Sequence, residues 1–287
     1  MPAPPRGEAE LRSIATPTHG RYLLRRPATP PTLLLVGFHG YRENATRHLA
    51  ELERIPGAEG WALLAVDALH AFYAGSTGEV LRGWMTRELR EEAIADNVAY
   101  VRRILDVVRP EVGWTVPLAF LGFSQGASMA WRAALLAGHG GAPAPKVVAL
   151  AGDIPPELAQ HQGPFPESVL LAHGDQDEWY TREKLKSDIQ LLQAKGIHPQ
   201  TLTFPGGHTW TDDFRQAVCG GQLLIQCAQY LRSGQRPVLL PCFRINRQPI
   251  VFPLRLRRGC ALRFGVGVGL LDIADLLPSS FILILII

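Results

Sequence analysis

The chain has 287 residues, 47% of them hydrophobic and 19% charged, an ordinary globular composition with enough apolar residues for a sizeable core. Its formal charge is +3, and seven arginines against two aspartates in residues 233–287 leave the first 232 residues at −2, so the main body offers no electrostatic case for nucleic acid. Cys219, Cys227, Cys242 and Cys260 show no C-x-x-C spacing, which leaves metal and disulfide frameworks unsupported and predicts reduced thiols.

The opening Met-Pro-Ala-Pro-Pro-Arg-Gly lacks the apolar core of a signal peptide. No stretch of the first 232 residues is long and apolar enough to span a bilayer. The expectation is a soluble, cytoplasmic protein. Residues 1–17, with prolines at 2, 4, 5 and 17, read as a flexible leader, and His19 to Arg26 as a first strand broken by Pro27 to Pro31. Thr32 to Phe38 is a continuous apolar run of strand length, as expected where both faces of a strand are covered. It ends in His39-Gly40-Tyr41-Arg42-Glu43-Asn44. A helix Ala45 to Arg54 and a strand Trp61 to Val66 follow, then an irregular segment from Asp67 to Thr86. Residues 87–108 place Ala93, Ile94, Val98, Val101, Ile104, Leu105 and Val108 at helical spacing.

Leu118 to Leu121 is a second buried strand, cut short by Gly122-Phe123-Ser124-Gln125-Gly126, with helical character from there to Leu136. This strand, one-residue turn and helix form the G-x-S-x-G nucleophile elbow, which strains the serine backbone and lifts its hydroxyl above the sheet, the flanking glycines leaving room for close passage. Strands at Lys146 to Leu150, Ser168 to Ala172 and Gln200 to Phe204 alternate with helices at Thr181 to Lys195 and Asp212 to Leu231. The alternation predicts an α/β protein, mostly parallel in its sheet, with helices on both faces and its ligand site at the carboxyl ends of the strands.

A serine hydroxyl needs a base to take its proton and a third group to orient that base. Among nine histidines, His208 stands out in Phe204-Pro205-Gly206-Gly207-His208, directly after the last predicted strand. The orienting carboxylate is expected after another strand, in His173-Gly174-Asp175-Gln176-Asp177. Asp177 is the better placed, since the loop must turn back before it reaches the imidazole, and Asp175 suits a turn cap. The order Ser124, Asp177, His208 is that of α/β-hydrolases. An oxyanion also needs two N–H donors, expected from the backbone of Gln125 at the start of a helix and of Tyr41 in the His-Gly loop. Phe72, Tyr73, Trp84, Met85 and Trp179 are candidates to line a substrate pocket. The rival reading is a hydrolase-fold binding protein without turnover, in which Ser124 only completes a turn.

Phe38-His39-Gly40, Gly122-Phe123-Ser124-Gln125-Gly126-Ala127, His173-Gly174-Asp175-Gln176-Asp177 and Gly206-Gly207-His208 together resemble the phospholipase/carboxylesterase family, which includes acyl-protein thioesterases. The resemblance covers about residues 20–232. It implies a cofactor-free and metal-free serine hydrolase of carboxylic esters or thioesters, with Ser124, Asp177 and His208 as triad and a small-molecule substrate as partner; a homodimer stays open. Arg82-Gly83-Trp84-Met85 is similar to the family's tryptophan segment, but Met85 and Thr86 replace its usual aromatic residue and aspartate. Glu178-Trp179-Tyr180 and Tyr41-Arg42 depart from the pattern too, and these departures bear on substrate preference.

The hydrolase domain is thus expected over residues 18–233. From residue 234 the chain is Pro-interrupted, basic and apolar, with an irregular tail to residue 287. Three readings stand for it: an appendage for membrane or partner contact, sequence translated out of frame, or packing on the core. Its lack of helical or strand period favours the second.

Overall fold

The computed structural model describes residues 10–138, 146–166 and 168–219. The expectations for residues 1–9, for residues 220–231 of the last helix and for the tail from 234 to 287 concern residues outside those described. Within them, seven strands form one sheet in the order β1-β3-β2-β6-β7-β8-β9. These are β1 (Tyr22–Arg25), β2 (Leu34–Phe38), β3 (Ala62–Val66), β6 (Leu118–Phe123), β7 (Lys146–Leu150), β8 (Val169–Gly174) and β9 (Gln200–Phe204). Only β1 is antiparallel to its neighbour; every other pairing is parallel.

The apolar runs explain this sheet. Side chains alternate faces along a strand, so Leu34, Val36 and Phe38 of β2 enter one core with Phe120 and Leu64. Leu35 enters the other with Leu63 and Leu121. The first core is closed by α2 (Arg90–Val112), α3 (Gln125–Leu136) and α4 (Arg182–Ala194), through Val101, Met129 and Leu192. The second is closed by α1 (Ala45–Glu53), through Leu52, and by Phe214 and Val218 of a helical stretch over residues 212–219. Helices therefore cover both faces, the arrangement of an α/β-hydrolase. Among the described residues no helix is long and apolar enough to cross a membrane.

Two differences from the sequence reading have physical causes. The segment 67–86 is not irregular: β4 (His70–Tyr73) and β5 (Val80–Gly83) pair as a separate antiparallel hairpin. Its anchor is a buried ion pair between Arg82 and Asp67, which leaves no trace in an apolar pattern. Helix α2 also runs past Val108 and through Pro110. The proline removes one N–H from the last turn, but the helical ladder closes beyond it through the Gly113 N–H on the Arg109 carbonyl at 2.8 Å. The Arg109 guanidinium donates to the carbonyls of Trp114 and Val116 in the chain that follows.

Candidate active site

The elbow is built as a close contact between a strand end and a helix start. Ser124 has φ 55 and ψ −123, a region that side-chain-bearing residues enter only under strain. Its N–H is held by the Leu150 carbonyl at 2.9 Å, and its side chain makes no capping bond to α3. A methyl group on Gly126 would overlap the carbonyl oxygens of Phe38 and His39, and one on Gly122 would overlap the Gly126 carbonyl. The first turn of α3 therefore lies against the end of β2, and only glycine permits that approach.

The loops after β8 and β9 interlock in the same way. Gln176 N–H bonds the Gly206 carbonyl at 2.9 Å, and Asp175 accepts the Gly206 N–H at 3.0 Å. A side chain on Gly174 would strike the backbone of Gly206 and Gly207. This brings Asp177 and His208 together: Nδ1 of His208 lies 2.9 Å from Oδ2 of Asp177. Oδ1 of Asp177 accepts the N–H groups of Trp179 at 2.8 Å and Tyr180 at 2.9 Å. The Asp177 carboxylate is fully buried, and a carboxylate only accepts, so Nδ1 of His208 keeps its proton and donates it in the hydrogen bond to Oδ2. That leaves the lone pair of His208 on Nε2. The His208 ring packs 5.0 Å from that of Phe123, the residue before Ser124.

The loop after β2 is fixed by a histidine. His39 is fully buried, and its Nε2 accepts the Ala68 N–H at 3.1 Å. Nδ1 therefore carries the proton and donates to the Gly40 carbonyl at 2.7 Å. Burial lowers the His39 pKa to about 4, so the ring stays neutral. In a planar trans peptide C=O and N–H point opposite ways, so the Tyr41 N–H faces away from His39. Among the described residues it has no backbone partner. The Gln125 N–H, first in α3, has none within the helix. Two free donors thus start from segments in contact, the end of β2 and the first turn of α3.

The candidate pocket residues differ in exposure. Phe72 stacks 5.6 Å from Tyr41, Tyr73 and Trp179 are exposed, and Met85 is half-buried. Trp84 does not line an open pocket. It is fully buried, and its main-chain N–H bonds Oε1 of Gln125 at 2.8 Å. A tryptophan at the rim and one in the core look alike in sequence. An open groove of about 760 Å³ does border His208, and its walls include Glu43, Arg47, Glu51, Phe123, Trp210 and Arg215, which the sequence reading did not select. The G-x-S-x-G motif itself was the available signal for Phe123; for the charged residues there was none. No group of three or more metal-ligating side chains occurs among the described residues.

No curated protein matches the chain. Solved structures do. Acyl-protein thioesterase 2 of Zea mays is 21% identical with a TM-score of 0.55, over 72% of this chain and 99% of that one. The carboxylesterase of Bacillus cereus is 18% identical with a TM-score of 0.54, over 71% and 94%. At these identities the likeness speaks to the fold alone, that of an α/β-hydrolase. The family model "Serine hydrolase (FSH1)" matches residues 32–210, more than half of the chain and the whole span from the strand before the His39 loop to the loop beyond His208, and so this chain belongs to the FSH1 serine hydrolase family.

Proposed function

We propose that the chain hydrolyses carboxylic esters or thioesters through an acyl-enzyme on Ser124, with His208 as base and Asp177 as the group that orients it. The observation that carries this reading is the 2.9 Å pairing of His208 Nδ1 with Asp177, with the His208 ring packed on Phe123, the residue before an elbow serine held at φ 55. In the first step the Ser124 hydroxyl oxygen bonds the substrate carbonyl carbon while its proton passes to Nε2 of His208. The carbonyl oxygen becomes an oxyanion, which the N–H groups of Gln125 and Tyr41 are suited to receive. Collapse expels the alcohol or thiol, which takes the proton from His208. Water then repeats the sequence on the acyl-enzyme and frees the acid.

The names of the structural neighbours, a thioesterase and a carboxylesterase, support this substrate class. The deciding experiment is labelling with a fluorophosphonate probe, alongside turnover of short and long p-nitrophenyl esters and a matched thioester. Ser124→Ala is expected to abolish labelling and to lower kcat by about 10⁶-fold. Turnover that survives this substitution would transfer the chemistry elsewhere, or leave Ser124 as part of a turn in a binding protein.

A further inference from the structure

Glu43 sits between the loop after β2 and the groove beside His208. Its Oε2 accepts the Gly40 N–H at 2.7 Å, and its own N–H reaches the Gly40 carbonyl at 3.3 Å. That carbonyl also receives the His39 Nδ1 proton. Gly40 is thereby gripped at both of its peptide groups, and the second grip sets the plane that contains the Tyr41 N–H. The backbone of Glu43 is fixed in turn by β5, since the Arg82 N–H donates to the Glu43 carbonyl at 2.9 Å and the Arg42 N–H donates to the Arg82 carbonyl at 3.0 Å.

The carboxylate does a second thing. It lines the groove that opens on His208, and the charged groups that face it are Arg47 and Glu51 of α1 and His208. Asp177 faces the same imidazole from the loop after β8. Burial raises the Glu43 carboxyl above the ordinary range, while the Gly40 N–H and Arg47 favour its ionised form.

We propose that Glu43 is a positioning residue for the hydrolytic reaction: it holds the oxyanion loop through Gly40 and sets a negative charge beside His208, where imidazolium forms. This rests on the assignment of Ser124, His208 and Asp177 given under Proposed function. A held loop needs no reorganisation when the oxyanion develops. A carboxylate near a nascent imidazolium favours the protonated ring. The two contributions are separable, because glutamine keeps an oxygen for the Gly40 N–H but carries no charge, whereas alanine has neither.

The test uses the full chain with Glu43→Gln and Glu43→Ala, assayed on one soluble p-nitrophenyl ester across pH, with thermal melts to verify folding. Glu43→Ala is expected to lower kcat about 10- to 100-fold with KM little changed. Glu43→Gln is expected to recover most of kcat at alkaline pH, and to move the acidic limb of the kcat/KM profile to lower pH. Wild-type kcat in the alanine variant, failure of glutamine to restore it, or a glutamine profile that superposes on the wild type would each overturn the proposal. If the alanine variant does not fold, the glutamine profile still decides. Fluorophosphonate labelling of the unaltered chain separates the two levels: no labelling defeats the serine hydrolase assignment, while normal labelling with unmoved Glu43 kinetics defeats the role of Glu43 alone.

Discussion

The indole N–H of Trp84 donates to the carbonyl oxygen of His39 at 2.8 Å, and the ring packs against both Phe38 and His39. The loop after β2 therefore stands on a buried tryptophan at the end of the β4–β5 hairpin, and Gln125 ties that hairpin to α3 through the Trp84 N–H and the Met85 carbonyl. Trp84→Phe keeps much of the apolar volume but removes the donor to His39. Stability should fall by about 1–3 kcal/mol, the usual consequence of a buried polar group left unpaired, and kcat should fall with it. Urea midpoints and kcat measured together check this. A lower midpoint with wild-type kcat would confine Trp84 to core packing.

The two aspartates after β8 have separable partners. Asp177 meets His208, whereas Asp175 accepts the Gly206 N–H. Asp177→Asn offers Nδ1 an amide in place of a carboxylate and favours the wrong tautomer, so kcat should drop by about 10⁴-fold. Asp175→Asn keeps an oxygen for Gly206 and should change kcat little. Steady-state kinetics of the two variants would expose a reversed assignment at once.

Acid should destabilise the fold through two buried histidines. Burial lowers His39 to about 4 and His48 to about 3, against 6.5 for an ordinary imidazole. Between those values the unfolded chain binds more protons than the native one, so stability rises with pH. The contribution is complete above 6.5 and is lost as pH falls from there towards 4 for His39 and towards 3 for His48. Among the described residues neither ring nitrogen of His48 has a hydrogen-bond partner, although its ring meets Trp210 edge-on at 5.5 Å. His48→Leu should therefore stabilise the protein at pH 7 by about 1 kcal/mol and flatten the dependence below pH 6. Urea unfolding at several pH values tests both; an equally steep acid loss in the variant would shift the effect to His39.

What sequence made legible, and what it hid, follows from the kind of force at work. Strand β7 lies where its apolar run puts it, because a central strand is buried by continuous hydrophobicity. Strand β9, last in the described sheet, is mostly exposed and was legible instead from its β-branched, alternating Gln-Thr-Leu-Thr-Phe pattern. Helix α1 begins after Asn44, whose side chain accepts the Arg47 N–H at 3.0 Å, a capping signal readable in the residues themselves. The β4–β5 hairpin was hidden because ion pairing and short strands carry it, without a long apolar period. Glu43 was hidden for a related reason. It reaches Gly40 because the chain turns through Arg42 at φ 64, and a left-handed arginine between two polar residues has no pattern of its own.

The last prediction concerns the strain at the elbow. Ser124 has φ 55 and ψ −123, and a side-chain-bearing residue in such a region costs the native state about 1–3 kcal/mol. The conformation persists because Gly122, Gly126 and the Leu150 carbonyl leave it no alternative. Alanine at this position keeps the strain, since it keeps Cβ. Glycine relieves it, though its freer unfolded chain offsets about 0.5–1 kcal/mol of the gain. Ser124→Gly should therefore be more stable than Ser124→Ala by about 1 kcal/mol, with both unlabelled by the fluorophosphonate probe. Such a difference moves the melting temperature by about 2–4 °C in a domain of this size, within reach of calorimetry. Coincident melting of the two variants would mean that the elbow stores no strain, and that its geometry is set wholly by the packing of α3 on β2.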